Sequence, residues 1–300
     1  MRAVVMHETG NPDVLRYEEA ERPEPGEGEV LIRVRAASVN PVDWKYRRGF
    51  VDKPLPAILG REVSGPVEVS RAEGFSEGDE VFGIAASGGY AEFATASAAE
   101  IAQKPVDVSH EQAAAIPVAG LTAWQVFGAA ELAEGQTALI AGAAGGVGHF
   151  AVQFAKLGGA GVIGSGSSRN RDFVLSLGAE QYVDYTQQDV AEAVSGVDVA
   201  FDTVGGDTTQ SLLPTVREGG ILVTIAGPPP EEAAGERGVR AELLVMSTNP
   251  QQLVRIADLV AGGEVRVELM DVLPLTEVQR AHELSESGHT RGKIVLTVGT

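Results

Sequence analysis

The stretch from Thr137 to Gly159, TALIAGAAGGVGHFAVQFAKLGG, joins a short apolar run to a helical pattern through a glycine-rich turn. Backbone amides at such a turn, with the positive end of a helix behind them, can hold a diphosphate. The pattern departs from G-x-G-x-x-G at its first position, where Ala143 stands. Gly145 falls where a backbone must let a diphosphate approach, and Gly148 where a helix must pack closely on its strand. The candidate contacts of this turn are Gly142, Ala144, Gly145, Gly146, Val147 and Gly148. Roughly twenty residues further on, the end of the next strand selects the nucleotide, because an acid there bonds the ribose hydroxyls of NAD. Here the residues are Gly164, Ser165, Gly166, Ser167, Ser168, Arg169, Asn170 and Arg171, with no acid before Asp172. Small hydroxyl residues beside a guanidinium suit a 2'-phosphate. The expectation is therefore NADPH, held by Ser165, Ser167, Ser168 and Arg169.

These residues need a sheet to carry them. From Thr137 onward, apolar strands alternate with helical segments: TALIAGA, GVIGSG, QYVDY, VDVAFDTV, GGILVTIAG and RAELLVM. Six such strands predict an α/β fold, a Rossmann doubly wound parallel sheet, closed by a helix from about Pro250 to Ala261. The segment PPPEEAAGERG at 228 to 238 reads as a loop. The first third carries short β runs between Pro and Gly clusters, among them RAVVM, EVLIRVRAASV, EVSGPVEV, EVFGIA and YAEFATA. That pattern predicts a smaller, mostly β unit. The tail, VRVELMDVLPL, TEVQRAHELSES and GKIVLTV, returns to strand, helix and strand and completes that first unit. The expected domains are 1–115, 116–262 and a return segment 263–300.

At 300 residues, the chain is longer than one hydrophobic core usually serves. The net charge of -19 disfavours nucleic acid or an anionic membrane as partner, since both need a basic face. With no cysteine there is no disulfide, thiolate ligand or cysteine nucleophile. The uncharged run 137–155 is long enough to span a membrane, but its glycines, His149 and Gln153 favour strand, turn and helix. The opening MRAVVMHETG lacks the sections of a signal peptide, which makes a soluble cytoplasmic protein the default. Histidines at 7, 110, 149, 282 and 289 show no metal-ligand grouping, so no metal is expected. The sixth strand would expose an edge, and a homodimer would cover it.

Several further segments complete a resemblance. They are AASVNPVDWKYRRG at 36 to 49, LPAILGREVSGPV at 55 to 67, GDEVFG at 78 to 83, GGYAEF at 88 to 93, IPVAGLTAW at 116 to 124 and SGHTRGKIVL at 287 to 296. With the AGAAGGVG turn, their order resembles the medium-chain dehydrogenase/reductase superfamily, in its zinc-independent quinone oxidoreductase branch. The resemblance implies a GroES-like, mostly β catalytic domain beside the Rossmann domain. Zinc-dependent members use cysteine and histidine, commonly with Gly-His-Glu; here the residues are Gly60-Arg61-Glu62, and that ligand set is missing. Zinc-free members reduce quinones or the double bond of enones with NADPH.

In conjugate reduction, negative charge develops on the carbonyl oxygen, and donors aimed at it help where they bind the transition state best. NPVDWKY supplies Asn40, Lys45 and Tyr46 as candidates, with Lys45 at the position where relatives often carry tyrosine. Asp43 is expected to pair with Lys45 or Arg47, Tyr90 to be structural more often than pocket-lining, Trp124 and Phe127 to pack, and His149 to be packed or solvated rather than catalytic. The resemblance further implies that Thr122 lies near the nicotinamide and that Tyr185 supports the 2'-phosphate. Asp202, Val204, Ala226 and Gly227 would follow the cofactor by backbone contacts, and Lys293 would approach it. Two other readings stand beside this one: reduction of an enoyl thioester or a pathway-specific enone, and a non-catalytic NADPH-binding protein.

Overall fold

The computed structural model describes residues 1–299. The chain forms two compact units, one of Met1–Leu121 with the segment from Thr248 onward, the other of Thr122–Ser247.

The second unit holds a six-stranded sheet whose spatial order is Gln181–Asp184, Gly161–Gly166, Thr137–Ala141, Val197–Asp202, Val216–Thr224, Arg240–Leu243. Every pairing in it is parallel. The central strand is buried on both faces through Ala138, Leu139, Ile140 and Ala141, as a parallel sheet covered by helices requires. Strand order reverses at Thr137–Ala141, so the loops leaving the carboxyl ends of its two neighbours turn opposite ways. In sheets of this kind a ligand crevice forms at such a reversal, and here the glycine turn leaves the carboxyl end of the strand where the order reverses. All six expected strands are present.

Two expectations are corrected. Helix Pro250–Ala261 belongs to the first unit, where its apolar face of Leu253, Ile256, Ala257 and Leu259 is buried and it packs on strand Ile101–Gln103. The alternation of strand and helix had run one element too far. The segment expected as a loop contains helix Glu231–Glu236. Glu231 and Glu232 in its first turn complement the helix dipole, and Ala234 is buried.

The first unit is built on an eight-stranded sheet. Along it run Leu269–Pro274, Lys293–Thr297, Ala36–Val39, Glu62–Ser70, Glu29–Arg33 and Phe93–Ser97; Glu80–Ile84 pairs with Glu62–Ser70, and Ile101–Gln103 with Glu80–Ile84. A three-stranded sheet of Leu15–Glu19, Arg2–Met6 and Ala57–Ile58 accompanies it. The tail does return: Lys293–Thr297 lies antiparallel to Ala36–Val39 with Ile294 opposite Val39. That register brings Lys293, just before Ile294, alongside Asn40, just after Val39. Strand Ala36–Val39 in turn sets Ser38 opposite Glu62. Three neighbouring strand ends thus carry Lys293, Asn40 and Glu62 to one place. Val30, Ile32, Ala37, Val63, Val67 and Leu296 pack in the core beneath.

Candidate active site

In the nucleotide unit, Gly142 takes φ +69, and a Cβ on it would meet Thr203 Oγ1 at 2.4 Å. The tight turn is thus made one residue before the expected position, which explains why Ala143 is tolerated there. A Cβ on Gly148 would lie 2.1 Å from the Gly142 carbonyl oxygen, so the helix Gly148–Leu157 starts in direct contact with the turn. A Cβ on Gly145 would meet nothing within 4 Å except that carbonyl, at 3.2 Å. Space above Gly145 is open, as a diphosphate needs. His149 is buried, lies tilted against Phe150 with ring centroids 4.2 Å apart and contacts the Gly145 carbonyl at 3.0 Å. Trp124 meets Phe154 and Phe127 meets Phe201 edge-on, so both expected packing residues pack, and of the two alternatives for His149 the packed one holds.

Ser165, next to last in strand Gly161–Gly166, is buried; its carbonyl accepts from the Ala143 amide at 3.1 Å. Ser167 precedes a 3-10 turn, Ser168–Asn170, that exposes Ser168 and Arg169. Tyr182 steadies this turn by donating to the Ser167 carbonyl at 2.7 Å. Asp184, on the adjacent strand, also reaches it. Its carboxyl is held below the usual range, first by the Thr186 hydroxyl and also by hydrogen bonds from Ser168. The sequence offered no acid within the local segment, because this one arrives from the next strand. Tyr185 follows it and is exposed.

At the end of Val197–Asp202, the buried Asp202 carboxylate accepts from the amides of Val204 and Gly205 and from the hydroxyls of Thr209 and Thr224. This side chain fastens the loop, leaving Val204 exposed. Ala226 donates to Thr224 Oγ1 at 3.2 Å and precedes Gly227 at the next strand end. All the expected nucleotide residues of this unit except Thr122, which is buried in helix Pro117–Ala129, therefore line one edge of the parallel sheet.

The first unit holds a buried polar cluster. Asn40 Nδ2 donates to Glu62 Oε2 at 2.5 Å, and Lys293 Nζ donates to Asn40 Oδ1 at 2.6 Å and to Glu62 Oε2 at 3.1 Å. Glu62 Oε1 accepts from the Val118 amide at 2.6 Å. Glu62 and Lys293 are both buried. Lys293, expected at the cofactor, is thus placed with Asn40 in this unit.

Asp43 pairs with neither Lys45 nor Arg47. Its carboxyl accepts from the Asn40 amide at 2.8 Å, the Gly60 amide at 3.2 Å and the Tyr90 hydroxyl at 3.0 Å. Burial pushes Asp43 up to about 6 against the pull of these three donors, and the charge of Glu62 adds to the rise. Burial likewise raises Tyr90 far above its ordinary value. Asn and Asp three residues apart at the start of an apolar-flanked helix is a capping spacing, the signal in the sequence by which this contact could have been found. Arg47 is buried and ion-paired with Glu286, which also accepts from Arg48 at 2.7 Å. Lys45 and Tyr46 are half-buried on helix Pro41–Arg47, Lys45 5.8 Å from the Trp44 ring and Lys53 5.3 Å from the Tyr46 ring.

Two family profiles match the chain: an alcohol dehydrogenase GroES-like domain over residues 26–106 and a zinc-binding dehydrogenase domain over 177–296. A quinone oxidoreductase of Pseudomonas aeruginosa is 34% identical over 313 residues, covering 96% of both chains. The chain belongs to the quinone oxidoreductase branch of the medium-chain dehydrogenase/reductase superfamily. Within this family, a chloroplastic NADPH-dependent alkenal/one oxidoreductase of Arabidopsis thaliana is 32% identical, across 99% of this chain and 79% of its own. The quinone oxidoreductase structure from Coxiella burnetii superposes with a TM-score of 0.96 at 37% identity, over 100% of this chain and 99% of that one. The Escherichia coli quinone oxidoreductase, solved in complex with NADPH, gives 0.92 at 28% identity over 99% and 100%.

Proposed function

We propose that this chain uses NADPH to reduce quinones or the carbon-carbon double bond of α,β-unsaturated carbonyl compounds, without zinc. The observation that carries the reading is the glycine turn at the reversal of strand order, with Ser167, Ser168 and Arg169 on the neighbouring strand end, in a member of this oxidoreductase branch. Bound NADPH supplies a hydride. The turn Gly142–Gly148 holds the diphosphate, and Ser165, Ser167, Ser168, Arg169 and Tyr185 hold the 2'-phosphate. The loops at Asp202, Val204, Ala226 and Gly227, with Thr122, follow the rest of the cofactor.

Lys45 and Tyr46 donate to the substrate oxygen as charge develops there, and the amide hydrogen of Asn40 not given to Glu62 is a third donor. Zinc does not fit this donor set. No cysteine is present, and the carboxylate of Glu62, where Gly-His-Glu members continue their motif, already carries an ammonium and two N–H donors. Among the described residues, no helix is long and apolar enough to cross a membrane. A cytoplasmic homodimer joined through strand Arg240–Leu243 completes the reading.

The test is NADPH oxidation, followed by nicotinamide absorbance, against a panel of quinones, enals and enones. Turnover with saturated carbonyl products establishes conjugate reduction, and hydroquinone products establish quinone reduction. Arg169→Ala is expected to raise KM for NADPH by roughly tenfold while leaving NADH unchanged. Equal use of NADPH and NADH by the wild type would overturn the 2'-phosphate assignment. Tight NADPH binding without turnover across the panel would favour the non-catalytic reading.

A further inference from the structure

Glu62 occupies an unusual position: both of its carboxylate oxygens are engaged, by groups from three separate parts of the chain. Oε2 takes the side-chain amide of Asn40 and the ammonium of Lys293, while Oε1 takes the Val118 amide in the first turn of helix Pro117–Ala129. Lys293 closes the ring by donating to the other end of the Asn40 amide. The orientation of that amide is therefore determined: oxygen to the ammonium, nitrogen to the carboxylate.

A buried ion pair is a weak source of stability, because desolvation of both charges offsets their attraction and apolar replacements are often neutral or better. It is a strong source of geometry. Charge-assisted hydrogen bonds are short and directional, and here they act on two helix starts at once. Asn40 immediately precedes helix Pro41–Arg47, which carries Lys45 and Tyr46; Val118 is the second residue of the helix that carries Thr122.

We propose that Glu62, with Lys293 as its internal counter-ion, is a positioning residue for reduction, aiming the Asn40 amide and fixing the first turn of helix Pro117–Ala129. This assignment rests on the reductase reading for its effect on turnover. It does not require Glu62 or Lys293 to touch the substrate.

The test compares Glu62→Gln, Lys293→Met and the double variant with wild type in thermal unfolding, NADPH binding, kcat and KM, and in hydrogen exchange at the Val118 amide and the Asn40 side-chain amide. A glutamine has one acceptor atom and one donor group, so it cannot accept at both ends. Glu62→Gln is expected to lose protection at one of the two amides and to lower kcat by about 10- to 100-fold, with NADPH affinity within about threefold of wild type. Each single variant leaves a buried charge unpaired and is expected to lower Tm. The double variant removes both charges and is expected to regain Tm but not kcat, since Asn40 has lost its orienting partners. Recovery of kcat together with Tm would reduce the pair to a stabilising one and overturn the proposal. So would a folded Glu62→Gln protein with wild-type kcat. If wild type turns over none of the acceptors, the reductase reading fails separately, and exchange then decides: unchanged protection at both amides refutes the positioning role, and lost protection supports it.

Discussion

Asp43 and His282 are two buried titratable side chains whose effects on stability oppose each other. Burial raises Asp43 to about 6, so the folded state holds its proton more tightly than the unfolded chain does. Its contribution is fully present below the unfolded value of 3.8 and is lost as pH rises through about 6. Burial, aided by the charge of Arg47, lowers His282 to about 3 from 6.5. Its contribution is present above 6.5 and is lost as pH falls toward about 3. Between about pH 4 and 6, folding therefore takes up close to one proton at Asp43 and releases close to one at His282, and the two slopes nearly cancel. Removing one group uncovers the other. Relative to wild type, His282→Leu should lose about 1.4 kcal/mol of stability per pH unit as pH rises across this window, and Asp43→Asn should gain as much. Urea titrations at several pH values read these slopes directly, and curves parallel to wild type would show that neither burial shift is real. The sequence presents Asn40, Asp43 and Tyr90 as separate candidates, and only the contact of Asp43 with the Asn40 amide, three residues away, is a local spacing. Their other partners are Glu62, Gly60 and Lys293 and, for Asp43 and Tyr90, each other; these lie as far as 253 residues away, and no local spacing encodes them.

Elements were far more legible than side-chain partners, because strand periodicity and turn chemistry are local properties. All six parallel strands and the glycine turn were read from runs such as TALIAGA and GVIGSG. What shifted was the bend alone: Gly142 makes it, one residue before the expected position, while Gly148 keeps the close packing and Gly145 the open approach. These roles separate experimentally. Gly148→Ala places a Cβ 2.1 Å from a backbone oxygen that cannot swing aside, so it should lower stability by about 2 kcal/mol or more and weaken NADPH binding with it. Gly145→Ala meets only that same oxygen, at 3.2 Å, a contact relieved by a shift of a few tenths of an ångström, and should lower Tm far less than Gly148→Ala. Its methyl group, however, stands in the open space assigned to the diphosphate, and NADPH affinity should fall by about tenfold or more. Calorimetry paired with NADPH titration distinguishes the two variants. Equal loss of Tm in both would mean that Gly145 is needed for the turn itself, leaving the diphosphate assignment without its clearest support.

At the scale of the whole molecule, chain length pointed to two units but not to where the chain leaves one for the other. Helix Pro250–Ala261 follows strand and helix alternation without interruption, and only its packing on Ile101–Gln103 assigns it to the first unit. The same scale governs self-association. Strand Arg240–Leu243 has a neighbour on one side only, and its outer edge offers unpaired backbone groups beside Leu243, 47% exposed, with Val245, 80% exposed, just beyond. A twofold axis through Ala241 would pair this strand antiparallel with its copy and set Arg240 opposite the partner's Glu242, so the charges along the edge match. Against this stands a net charge of -19 on each chain, which repels at long range and is screened by salt. The expected result in analytical ultracentrifugation is a dimer of twice the 31.2 kDa chain mass, tightening as salt is raised from low ionic strength. Leu243→Lys with Val245→Lys adds like charges at the seam and should give a monomer whose NADPH affinity is unchanged, since neither residue is among the proposed cofactor contacts. A wild-type monomer at every salt concentration would rule out the edge as an interface, and a doubly substituted protein that stays dimeric would move the interface elsewhere on the chain.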